Sequence, residues 1–155
     1  MISRLLAAFI CVAGMPACTD ARDGLFSDAM LMDDAIPEPI LGKQGRADIG
    51  AQIFEARESG HCVLCHQVSS STSLFQGNLG PNLDTVGDRL SAGQIRLRLV
   101  DYQRLRPGTV MPSYYRIKDL YQVGTDFEGQ PILTAQEIED LVAYLTQLRE
   151  TEYAP

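Results

Sequence analysis

The run Cys62-Val63-Leu64-Cys65-His66 constrains this chain more than any other feature, because it decides what the internal thiols can be doing. The first residues have the layout of an export signal: Arg4 and the amino terminus supply positive charge, Leu5 to Val12 an uncharged apolar stretch, and Ala13, Gly14 and Ala17 small residues before a cleavage point. Cys11 leaves with that segment and Cys18 stands at its end, so Cys62 and Cys65 are left without a distant disulfide partner. In an exported protein such a pair should be oxidised or derivatised. Two thiols at this spacing can add to the two vinyl groups on one porphyrin edge, and the next residue then places an imidazole under the iron. A thioredoxin-like redox pair would need a βαβ pattern around it, and a zinc site a second cysteine pair; the sequence offers neither. The motif therefore predicts one covalent haem c, with Cys62 and Cys65 as tethers and His66 as an axial ligand.

The second axial ligand is argued by elimination. His61 adjoins a tether on the His66 side and cannot swing to the other face, which leaves methionine. Met30 and Met32 lie in a stretch punctuated by Pro37 and Pro39. Met111 lies 45 residues beyond His66 in Gly108-Thr109-Val110-Met111-Pro112, where Pro112 restricts it to an extended backbone. Met111 is the expected ligand; a gap-filler in the core is its competing role. The carbonyl of Pro81, in Gly80-Pro81, is a candidate acceptor for the Nδ1 proton of His66, a bond that would fix the imidazole and raise its basicity. A plain turn is the competing reading of that dipeptide.

The chain divides into a signal over 1–17, an irregular acidic arm over 18–45 and a folded domain over 46–155. Cys18 leaves two outcomes at the first boundary, plain cleavage or a lipid anchor, and Pro16 favours cleavage. Ile49, Ile53 and Phe54 suit a short amphipathic helix from about Ala47, ending before Gly60, and Gly50 within it suggests another helix crossing at close range. The last helix is the candidate, because Thr134 and Glu137 form a capping box ahead of Ile138, Leu141, Val142, Leu145 and Leu148. It should run to about Arg149. Ser91 and Gln94 can cap a third helix through Tyr102, although Ile95, Leu97 and Leu99 also alternate as in a strand.

Removing residues 1–17, with one base and no acid, leaves 12 basic against 20 acidic residues, a net charge of about −8. That excludes nucleic acid as a natural partner. No run approaches the ~20 apolar residues of a membrane-spanning helix. Seven of the basic residues fall between Arg89 and Lys118 against the single acid Asp101, which suits either a solvated face or a site for haem propionates or an acidic partner.

Gly50 and Phe54, the CxxCH run, Gly80-Pro81, Met111-Pro112 and Asp140-Leu141-Val142-Ala143-Tyr144-Leu145 together resemble a class I cytochrome c. The resemblance implies an all-α fold in which crossing amino- and carboxy-terminal helices pack around one covalently bound haem, with Phe54 against Leu141 and Tyr144. Phe54 stands eight residues before Cys62, so the connection through Glu58-Ser59-Gly60 must bulge. Phe75-Gln76-Gly77-Asn78-Leu79-Gly80-Pro81-Asn82-Leu83, Val86-Gly87-Asp88-Arg89, Leu97-Arg98-Leu99-Val100-Asp101 and Thr109-Val110-Met111-Pro112-Ser113-Tyr114-Tyr115 resemble, more narrowly, the SoxX family of monohaem cytochromes. That family implies a periplasmic heterodimer with a SoxA-type subunit. The pair acts as an L-cysteine S-thiosulfotransferase, joining thiosulfate to a cysteine of a SoxYZ-type carrier and passing electrons to a soluble cytochrome c acceptor. The chain itself would hold no catalytic residue. A free electron shuttle, or a subunit of another periplasmic dehydrogenase, is the alternative.

Overall fold

Helix α1 (Ala47–Glu55) buries Gly50, Ile53 and Phe54 on one side and places Asp48 in its first turn, where the helix dipole favours an acid. No side chain of its own caps it. The Asp140 carboxylate, 94 positions away, does so instead by accepting Arg46 N–H at 2.7 Å. The computed structural model describes residues 27–150, so the stretch expected to be an export signal and Cys18 lie outside the described residues.

Helix α4 (Ala135–Gln147) begins at the expected capping box, with the Thr134 hydroxyl accepting Glu137 N–H and Glu137 accepting Thr134 N–H. Its Ile138, Leu141, Val142 and Leu145 are buried and face α1 and α3. A Cβ added at Gly50 would overlap the carbonyl oxygen of Asp140, so only glycine lets the two helices cross this closely. Four residues on, the rings of Phe54 and Tyr144 meet with centroids 5.7 Å apart and tilted by 57°.

Helix α2 is a single turn (Val86–Arg89), and α3 (Ala92–Asp101) starts at a complete Ser91–Gln94 capping box. The helical reading of this segment holds and the strand reading fails. Its alternation came from Arg96, which is not a solvent-facing polar residue but is 4% exposed between two helices and the arm. Arg96 pairs with buried Glu139 through two contacts of 2.7 and 2.8 Å and donates to the carbonyl of Ile36 at 2.6 Å. Glu139 also accepts Ile40 N–H at 2.9 Å. The segment before Ala47 is irregular in backbone, with short 3-10 turns at Asp28–Met30 and Ile40–Gly42, yet Ile36 and Ile40 are core residues. Among the described residues the only β pairing is an isolated bridge between Met32 and Ala35. The architecture is all-α.

Candidate functional site

The chain leaves α1 through a turn that spans the expected bulge, with His61 N–H returning to the Ala56 carbonyl at 3.2 Å. His61 adopts a left-handed backbone (φ +56) and so redirects the chain into the 3-10 turn Cys62–Leu64. Cys65 and His66 both donate their N–H to the Cys62 carbonyl, at 3.0 and 2.9 Å, which wraps the motif tightly around its first cysteine. Both cysteines are free thiols. Burial pushes the Cys62 thiol up to about 12, opposite to the depressed value of a reactive redox cysteine.

A second strand of chain lies along this turn. Gly77 N–H bonds to Val63 O at 2.9 Å, Gly80 N–H to Cys65 O at 2.8 Å, and Leu83 N–H to Gln67 O at 2.9 Å. Between the last two rungs, His66 Nδ1 lies 2.8 Å from the Pro81 carbonyl. A carbonyl only accepts, so the proton sits on Nδ1 and Nε2 keeps its lone pair for a metal. Gly80 makes this approach possible, because a Cβ there would overlap the imidazole ring.

Met111 is half-buried against the core on the loop that follows α3. Its own N–H bonds only to Thr109 Oγ1, at 3.2 Å. Beyond it the chain turns inward: Ser113, Tyr114 and Tyr115 are buried, and the Tyr114 hydroxyl donates to Gly60 O at 2.7 Å. The structure thus gathers Cys62, Cys65, His66 and Pro81 in one turn and ties the Met111 loop to that turn through Tyr114.

Most of the basic run has internal work. Arg96 is committed to Glu139, Arg98 lies 3.8 Å from Asp34, Arg104 pairs with Asp28 and Asp101, and Arg116 pairs with Asp101 at 2.9 Å. The buried carboxylate of Asp101 was the residue sequence reasoning passed over. Its signal was its being the single acid in a run of seven bases.

The donor set fits a haem c. Two unpaired thiols share one turn, one imidazole nitrogen is left unprotonated by its partner, and a thioether waits on a neighbouring loop. Among the described residues no three His, Cys, Asp or Glu side chains gather as a metal site of another kind.

The cytochrome c family model matches residues 47–149. Among solved structures, a chain of the crystal structure of SoxXA from P. pantotrophus is similar at 31% identity with a TM-score of 0.73, over 86% of this chain and 100% of that one. No curated protein gives a significant match. The family binds haem c covalently. With its helical fold and a likeness that covers the whole of the solved chain, this chain belongs to the cytochrome c family, as an electron-transfer cytochrome of SoxX type.

Proposed function

We propose that this chain is the electron-transfer subunit of a SoxAX-type L-cysteine S-thiosulfotransferase in the periplasm. Cys62 and Cys65 tether a single haem c, His66 and Met111 are its axial ligands, and Pro81 holds the Nδ1 proton of His66. The haem supplies a reversible store for one electron at a time. Joining thiosulfate to a carrier thiol forms a sulfur–sulfur bond and releases one proton and two electrons. That bond forms on a SoxA-type partner, with a SoxYZ-type protein presenting the cysteine. Here both internal thiols are committed to tethering and both axial positions to side chains, so this chain offers neither a nucleophile nor an open coordination site. Electrons leave to a soluble cytochrome c. No helix of the described residues is long and apolar enough to cross a membrane.

The observation that carries the subunit reading is the likeness to a chain of the SoxXA structure, which covers the whole of that chain. Leu74, Phe75 and Leu79 are 91%, 78% and 69% exposed on the strand of chain that lines the turn, and Leu64 within the turn is 41% exposed. Exposed apolar surface beside the turn also suits a lasting interface with a partner subunit. Co-expression with a SoxA-type subunit should give a complex that survives gel filtration, reduces its haem when thiosulfate and carrier are supplied, and modifies the carrier cysteine, while this chain alone does not. A chain that stays monomeric with that partner present, yet exchanges electrons rapidly with a terminal oxidase, would establish the free shuttle instead.

A further inference from the structure

Between Leu105 and Pro112 the loop bearing Met111 has little to hold it: residues 106–108 are exposed, Val110 is 75% exposed, and Thr109 N–H reaches only Arg106 O, at 3.2 Å. Its base is another matter. Asp101, 2% exposed, accepts the Ser113 hydroxyl on Oδ1 at 2.6 Å, and its Oδ2 lies 2.9 Å from Arg116 Nε and 3.5 Å from Arg104 Nε. A buried carboxylate requires partners of this kind. Here they come from both sides of one loop, Arg104 before it and Ser113 and Arg116 after it.

Tyr114 then joins that base to the haem-attachment turn. Its hydroxyl bonds to the carbonyl of Gly60, two residues before Cys62, in a buried contact. Its backbone is clamped as well, with Tyr114 N–H on Leu99 O at 3.1 Å and Leu133 N–H on Tyr114 O at 3.0 Å. A hydrogen-bonded link from the haem-attachment turn to the base of the methionine loop therefore runs through the Tyr114 phenol.

We propose that Asp101 and Tyr114 are positioning residues for Met111: Asp101 closes the base of the methionine loop, and Tyr114 fixes that base in register with the Cys62–His66 turn. The proposal rests on the reading of Met111 as an axial ligand. Neither residue touches the iron. Each limits how far the loop can swing out, and so how readily an outside ligand displaces the thioether.

The test uses the oxidised holoprotein, titrated with imidazole as the competing ligand. Loss of the thioether-to-iron charge-transfer band is followed, and thermal unfolding is recorded in parallel. Tyr114→Phe removes only the hydroxyl, and Asp101→Asn keeps the shape while removing the charge. Each should raise imidazole affinity by about fivefold or more, the worth of one buried hydrogen bond. Thr134→Ala, which uncaps α4 at a distance from the loop, should lower the unfolding temperature and leave imidazole affinity alone. Unchanged affinity in Tyr114→Phe overturns the proposal, and that variant alone decides if Asp101→Asn yields no folded protein. A wild type without the band, or a Met111→Ala variant that retains it, would remove the ligand assignment and this proposal with it; a normal band with unchanged affinity removes the proposal alone.

Discussion

At the α1–α4 crossing backbone meets backbone, with the Asp140 carbonyl over Gly50 and the Phe54 ring against Tyr144, whereas the Met111 loop is fastened only at its base. The first region has no slack, because close packing leaves atoms nowhere to move. The second has slack by construction. The tightly packed crossing and the loosely held Met111 loop are therefore different places in the molecule. A substitution at the crossing should be felt in unfolding, and one in the loop should be felt locally.

The largest effect is expected where the crossing joins the arm. Arg96→Met strands the buried Glu139 carboxylate and should cost about 3–5 kcal/mol in urea unfolding, while pairing it with Glu139→Leu should recover much of the loss. Gly50→Ala tests the crossing itself. Its Cβ would press on backbone that cannot yield, so a loss of about 1–3 kcal/mol or more is expected. Gly108→Ala is the sharpest contrast, since an added Cβ there meets nothing within 4 Å. The only cost is torsional, at φ +79, of about 1–2 kcal/mol, and hydrogen exchange should show it confined to the loop. If hydrogen exchange showed the loss in Gly108→Ala spread through the α1–α4 crossing, the division between the two regions would not stand.

The smallest effect is one of pH. Glu55, at the end of α1, accepts the Ser71 hydroxyl at 2.8 Å and the Thr72 N–H and hydroxyl, each at 2.9 Å. The Ser71 hydroxyl, followed by the Thr72 amide, holds its carboxyl below the usual glutamate value despite some burial. A group with a depressed folded pKa stabilises the protein above its unfolded pKa, and that contribution fades as pH falls through the folded one. The unfolding temperature of the wild type should accordingly decline as pH falls below 4.5, the ordinary value for this carboxyl, and Glu55→Gln should flatten part of that slope.

The helices were legible because their signals are local. The Ser91–Gln94 and Thr134–Glu137 boxes sit at the starts of α3 and α4, and Gly50 marked the crossing without any knowledge of its partner. The Pro81 carbonyl was legible too, as an acceptor placed within a short span of His66. The burial of Ile36 and Ile40 was not, since two isoleucines among prolines and acids form no period and their covering residues, Arg96 and Glu139, lie about 60 and 100 positions away. The pairing of the basic run was hidden for the same reason. Four of its arginines, Arg96, Arg98, Arg104 and Arg116, are matched by Asp28, Asp34, Asp101 and Glu139, pairings that a linear count of charge does not reveal.

The α1–α4 crossing also fixes what evolution can do with the rest of the chain. Because it joins residues near Gly50 to residues near Asp140, all the chain between them is a closed loop, and Cys62, His66, Pro81 and Met111 lie inside it. The entropy of closing a flexible loop grows only with the logarithm of its length, at about 0.6 kcal/mol for each doubling. Insertions in an exposed irregular stretch such as 117–131 are thus nearly free of thermodynamic penalty so long as the crossing survives, and relatives can differ widely in length there while sharing one clasp.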